Sequence, residues 1–205
     1  DGGEAEMCGN GARCFGNFAA ALLHHDKTAP LPFETMAGVV TATFEKDGNV
    51  TVNLTNPHSM QLFVLNADPT VGADVHFLNT GVPHAVAFLD KLEDLNISRL
   101  GAYLRYHEAF SPKGTNANFA RILSPGHIAI RTYERGVEDE TLACGTGMTA
   151  CALLHAVLAD APSPIQVDVA GGDTLKVGFQ RTGDRFTDVT LTGPADLVFT
   201  GDIQI

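Results

Sequence analysis

One plan is written twice in this chain, and it restricts the fold more than any other feature. A Cys-Gly-x-Gly run leads into an apolar, helix-like stretch, a proline break follows, and alternating β-type segments come next. The first copy opens at Met7-Cys8-Gly9-Asn10-Gly11 and the second at Ala143-Cys144-Gly145-Thr146-Gly147. Ala12, Phe15, Phe18, Ala19, Leu22 and Leu23 follow helical spacing over about 11–25, and Met148, Cys151, Leu154, Val157 and Leu158 do so over about 145–158. In both stretches apolar groups occupy much of the circumference, which predicts helices surrounded by protein. Pro30 and Pro32 end the first stretch and Pro162 and Pro164 the second.

β-type patterning fills the rest. Val39 to Glu45, an Asp47-Gly48 turn and Val50 to Leu54 read as a hairpin. Further strands are expected near 61–65, 75–78, 85–89, 117–122 and 127–133, with one helix at about 97–108. A tail of strands at 165–169, 175–179, 186–191 and 197–199 follows, with Gly171-Gly172 as a turn. An internal duplication explains this spacing. The expected class is α+β: two pseudo-symmetric halves, each a curved, mostly antiparallel sheet around a central helix. Asn56-Pro57 marks the boundary, giving 1–56 as the first half and 57–193 as the second.

The duplicated motif has chemical content. A thiol just ahead of a helix lies beside unpaired backbone N–H groups and the positive end of the helix dipole, which favour thiolate and anion binding. Glycines allow the backbone to approach a ligand closely. If both helices start at one cleft, the N–H groups of Gly9, Asn10, Gly145 and Thr146 can hold a carboxylate. Its α-carbon then lies between two sulfurs. One cysteine can remove the α-proton while the other delivers a proton to the opposite face, inverting the centre. None of Lys27, Lys46, Lys91, Lys113 or Lys176 has the apolar setting of a pyridoxal-phosphate lysine, so no cofactor is expected. Stabilisation must come from dipoles, hydrogen bonds and exclusion of water as the halves close.

Composition narrows the partners. A net charge of −11 argues against nucleic acid or an anionic membrane surface, and no apolar run reaches the length of a bilayer span. The expected partner is a small-molecule amino-acid substrate, and a homodimer is left open. Four cysteines in 205 residues, without Cys-x-x-Cys pairs, give neither a disulfide framework nor a structural zinc site. With no export signal visible, the expected address is the cytoplasm. The chain begins at Asp1-Gly2-Gly3 without an initiator Met, almost on the first motif, so residues upstream are expected.

The run Asp1-Gly2-Gly3-Glu4-Ala5-Glu6-Met7-Cys8-Gly9-Asn10-Gly11-Ala12-Arg13-Cys14 resembles the diaminopimelate epimerase family. So do Tyr133-Glu134-Arg135-Gly136 and Glu140-Thr141-Leu142-Ala143-Cys144-Gly145-Thr146-Gly147. The likeness extends through Gly81-Val82-Pro83-His84 and Gly114-Thr115-Asn116 to Gly193-Pro194-Ala195. The two cysteine segments are specific in combination. The resemblance implies a cofactor-independent epimerase interconverting LL- and meso-2,6-diaminoheptanedioate, on the way to lysine and cell-wall peptides. Cys8 and Cys144 match that family's base and acid, and His84 and Glu134 match residues near the reacting centre. Asn116 and Arg135 match residues at the substrate's distal end, where a forked guanidinium suits a carboxylate. The resemblance also returns the C-terminal strands, 194–205, to the first half. The chain departs from the family at Val82, where an asparagine is usual, and the family carries further residues ahead of the position of Asp1.

Two other readings stand beside this one. A related two-thiol racemase could act on proline, hydroxyproline or histidine, or a catalytically silent fragment could keep the fold. Among the remaining residues, Cys14 and Cys151 read as core, Glu138-Asp139-Glu140 as a solvated acidic loop, and His24-His25 as a solvated helix end rather than metal ligands.

Overall fold

A computed structural model describes residues 8–203. The segment Asp1–Met7, which carries part of the resemblance, and the last two residues of the expected C-terminal return lie outside the described residues. In chain order the elements are α1 (Gly9–Leu22), β1 (Leu31–Thr35), β2 (Gly38–Phe44), β3 (Val50–Asn53), β4 (His58–Asp68), β5 (Ala73–Asn79) and β6 (Pro83–Phe88). They continue as α2 (Ile97–Arg105), β7 (Asn116–Ser124), β8 (His127–Glu134), β9 (Asp139–Thr141), α3 (Gly145–Ala159), β10 (Ile165–Asp168), β11 (Thr174–Thr182) and β12 (Arg185–Gly193). The α+β class is borne out.

α3 organises the molecule. Its residues from Gly145 to Ala156 are all buried, so the helix has no polar face and must be enclosed. One curved sheet supplies the enclosure, hydrogen-bonded in the order β1-β2-β3-β12-β11-β10-β8-β7-β6-β5-β4, with β9 added on β8. All pairings are antiparallel except β6–β7 and β8–β10, which are parallel. Each parallel pair needs a crossover, which α2 and α3 respectively provide. Met148, Leu153 and Leu154 of α3 share one core with Ile128, Ile165, Val177 and Leu191 of the sheet.

β6, β7 and β8 are covered on both faces, and their period-2 alternation sorts the side chains. Ala85, Ala87, Ala117 and Phe119 pack in the core under α2, whereas Val86, Ala120, Ile128 and Ile130 pack in the core around α3. His84, Asn118 and Thr132 share the register of the second set and so stand on the α3 face. α2 approaches β8 closely because Gly101 has no Cβ to strike the Tyr133 ring.

The hairpin forms as expected, with β2 and β3 paired around Asp47-Gly48, where Gly48 has φ +91° and Asp47 Oδ1 accepts the Asn49 N–H. Three expectations fail. Leu197–Phe199 forms no strand, and all three residues are exposed. Glu138, Asp139 and Glu140 are not merely solvated, because they pair with Arg105, Ser98 and Arg131 respectively.

α1 is the third correction. It presents Phe15, Phe18, Leu22 and Leu23 outward, and Cys14 is exposed with them, whereas Cys151 is buried as expected. The face resting on the sheet is the stripe of small residues Gly9, Ala12, Gly16 and Ala20, with Arg13 alongside. A Cβ on Gly16 would lie 2.6 Å from the Ala42 Cβ, so backbone and strand are in contact there. Close approach of the small side leaves the large side chains on the far side.

Candidate active site

Each cysteine is the residue immediately before a helix. Cys8 caps α1 in an extended conformation, and its Sγ accepts the Gly11 N–H at 3.3 Å. Cys144 precedes α3 in a similar conformation (φ −120°, ψ 109°), with Sγ 3.5 Å from the Thr146 hydroxyl. The two helix starts abut. A Cβ built on Gly145 would lie 3.3 Å from Gly9 Cα, and one on Gly9 would lie 3.7 Å from Gly145 Cα. A side chain at Gly145 would crowd this contact, and its absence lets the two first turns, with their free N–H groups, lie against each other. Asn10 ties the two segments across the junction, because its Nδ2 donates to the Ala143 carbonyl at 3.2 Å and its Oδ1 accepts from Arg13.

Around this junction stand the other residues singled out from the sequence. Asn116, at the start of β7, uses both ends of its amide. Nδ2 donates to the Pro83 carbonyl at 3.0 Å and Oδ1 accepts the Arg135 N–H at 2.8 Å. It therefore pins the segment leading into His84 to the segment carrying Glu134 and Arg135. The Arg135 guanidinium donates to the Lys113 carbonyl. Thr80, just ahead of the Gly81-Val82-Pro83-His84 run, donates its hydroxyl to the Thr146 carbonyl at 2.9 Å.

Electrostatics separates the titratable groups. Burial pushes the Cys144 thiol up to about 11, and the Glu134 charge pushes the same way. Cys144 is therefore a thiol at neutral pH, a proton donor rather than a base in this state. Burial depresses His84 to about 3, and the Arg135 charge adds to the effect. His84 is a neutral imidazole throughout the physiological range. Its Nδ1 faces Asn118 Nδ2 at 3.1 Å, while Nε2 has no partner among the described residues. Cys8 and Glu134 both act on the charge of Cys144, and Arg135 acts on that of His84. Glu134 and Arg135 are consecutive, and the Arg135 N–H is held by Asn116, which lies opposite His84 in the β6–β7 pair, so the segment at the end of β8 links the two groups.

A family model described as diaminopimelate epimerase matches residues 76–198. Diaminopimelate epimerase of Aquifex aeolicus is 43% identical over 207 residues, spanning 100% of this chain and 72% of the relative. That of Hydrogenobaculum sp. is 42% identical, over 98% of this chain and 71% of its own. The chain belongs to the diaminopimelate epimerase family. Solved structures extend the likeness of fold alone. A phenazine biosynthesis protein of the PhzF family from Bacillus anthracis superposes with a TM-score of 0.67 at 15% identity, covering 93% of this chain and 74% of that one. A probable proline racemase from Agrobacterium radiobacter K84, solved with bound carbonate, gives 0.59 at 21% identity, over 81% of this chain and 57% of that one.

The geometry adds residues that the sequence does not mark, each hydrogen-bonded to the candidate site directly or through another of them. They are Thr80, Asn118 and Thr132, and the one sequence signal among them is the Asn116-x-Asn118 alternation at the start of β7, since it places two amides on one face. Glu138, which its acidic sequence setting marks as solvated, accepts from Arg105 Nε, the Tyr106 hydroxyl and the Gly136 N–H. It thereby anchors the turn that follows Glu134 and Arg135. Among the described residues no cluster of His, Cys, Asp and Glu is arranged to hold a metal, and no helix is long and apolar enough to cross a membrane.

Proposed function

We propose that this chain inverts one α-carbon of LL-2,6-diaminoheptanedioate to give the meso form, without a cofactor, using Cys8 and Cys144 as the two proton-handling groups. The reading follows from family membership, and the abutment of the two cysteine-capped helix starts at Gly9 and Gly145 carries its chemistry. The backbone N–H groups of Gly9, Asn10, Gly145 and Thr146 hold the carboxylate of the reacting centre. One sulfur, as thiolate, takes the α-proton, and the C–H electron pair moves onto the carboxylate. The charge is met there by N–H groups that are already oriented and need no reorganisation. The other sulfur, as thiol, returns a proton to the opposite face and becomes the thiolate.

The state of Cys144 described above supports it as the donor in one direction, and the reverse reaction exchanges the roles. His84 and Glu134 flank the reacting centre, and Asn116 and Arg135 meet the distal end of the substrate. The same reading divides the chain into 1–56 with 194–205 and 57–193, two halves that close on the substrate and exclude water.

Separate Cys8→Ala and Cys144→Ala substitutions test the assignment. Each is expected to lower kcat/KM for interconversion of the LL and meso isomers by about 10²–10⁴-fold, the range of a lost proton-transfer group. Wild-type rates in either variant would remove that sulfur from the mechanism. Turnover of proline, hydroxyproline or histidine in place of diaminoheptanedioate would assign the chain to a different two-thiol racemase.

A further inference from the structure

We propose that Asn118 is a positioning residue that fixes the tautomer of His84, so that His84 Nε2–H is presented as a neutral hydrogen-bond donor to the bound substrate. The inference deepens the function proposed above and rests on it for the identity of the substrate.

The orientation of the Asn118 amide comes first. One of its ends lies 3.0 Å from the Ala85 carbonyl oxygen, which can only accept, so that end is the NH2 group. The same nitrogen lies 3.1 Å from His84 Nδ1. An NH2 group can only donate, so Nδ1 must be the unprotonated, accepting nitrogen. The ring proton of the neutral imidazole is therefore on Nε2. That N–H is fully buried and has no partner among the described residues. A buried donor without an acceptor is costly, and such groups are retained where a ligand supplies the acceptor.

The other end of the amide is committed as well. Asn118 Oδ1 accepts from the Thr132 hydroxyl at 3.0 Å, across the β7–β8 pair. Oδ1 also sits where a Cβ on Gly147 would fall, in the first turn of the helix that Cys144 begins. Asn118 is thus wedged between β6, β8 and the start of α3, and a flip would turn its oxygen towards the Ala85 carbonyl, breaking that hydrogen bond and setting two acceptors against each other. An oxygen acceptor of the substrate, such as a carboxylate gaining charge as the α-proton leaves, meets a donor whose direction and proton are set beforehand.

The experiment combines ring-nitrogen NMR of 15N-histidine-labelled protein with a mutant cycle. In the wild type, without substrate, His84 is expected to show the Nε2–H tautomer. The near-isosteric Asn118→Asp variant has no amide N–H to offer, so the ring proton is expected to move to Nδ1, or the ring to become doubly protonated. Epimerisation should then fall about 10²-fold in kcat with a smaller change in KM. In a His84→Gln background, Asn118→Asp should cost far less than in the wild type, because only the Ala85 contact is left to lose and no tautomer remains to set. An Nδ1–H tautomer in the wild type would overturn the inference, and so would an equal loss in the His84→Gln background. The NMR arm needs no substrate, so failure of the wild type to turn over diaminoheptanedioate would strike the proposed function and leave the tautomer assignment to be judged separately.

Discussion

Cys144 and His84 are both neutral for the same reason. Each is enclosed by protein, and desolvation disfavours the charged form whether that form is an anion or a cation. For His84 this has a measurable consequence. Its folded-state value lies near 3 and its unfolded value near 6.5, so between those pH values the unfolded chain binds the extra proton. Stability associated with the buried neutral ring is complete above about pH 6.5 and is lost as pH falls towards 3. Urea denaturation of wild type and His84→Gln across that window should show the wild type losing ground by up to about 1.4 kcal/mol per pH unit. Parallel curves would mean that the ring is not buried in the folded protein. At this scale the sequence was partly legible. A thiol beside a run of glycines has little packing value, which marks Cys8 and Cys144. The neutrality of His84 depends on α3 lying over β6, and no residue near His84 encodes that.

Among the elements, α1 and α3 look alike as strings of letters and behave differently. α3 is enclosed, as its apolar circumference predicts, but α1 rests on the sheet through Gly9, Ala12, Gly16 and Ala20 and turns its large residues outward. Periodicity shows which residues share a face, but closeness of approach decides which face meets the neighbour, and that depends on the strand beneath. The same reasoning makes Gly145 decisive. A Cβ there would lie 3.1 Å from Leu191 Cδ2 and 3.3 Å from Gly9 Cα. The leucine can yield by rotating, but the facing helix backbone yields only by moving as a whole. Gly145→Ala should therefore force the two helix starts apart by a few tenths of an ångström while leaving the fold intact, lowering kcat by roughly 10-fold, less than the 10²-fold that a displacement of about 1 Å at a reacting centre can cost. Unchanged circular dichroism with full activity would show that the junction is not under this constraint. β9 and the ion pairs of Glu138 and Glu140 escaped the sequence reading because a short acidic stretch looks the same whether it faces water or an arginine.

At the level of the whole molecule, one hydrogen-bonded sheet passes through the β3–β12 pairing and joins strands separated by most of the chain. The duplicated plan in the sequence foretold the α+β class and the paired helix starts. It did not foretell which strands would be neighbours across that seam, since Val52 opposite Leu191 is a matter of register rather than of composition. The seam matters because Leu191 also packs under Gly9 and Gly145, so the sheet itself holds the two motifs in contact. The central claim is that two sulfurs serve opposite faces of one carbon, and initial-rate turnover of LL-diaminoheptanedioate in D2O tests it most directly. The account predicts meso product carrying solvent deuterium at the inverted centre while unreacted LL substrate retains its hydrogen. Substrate-derived hydrogen returned to the inverted centre of the product would mean a single group serves both faces, and would contradict it.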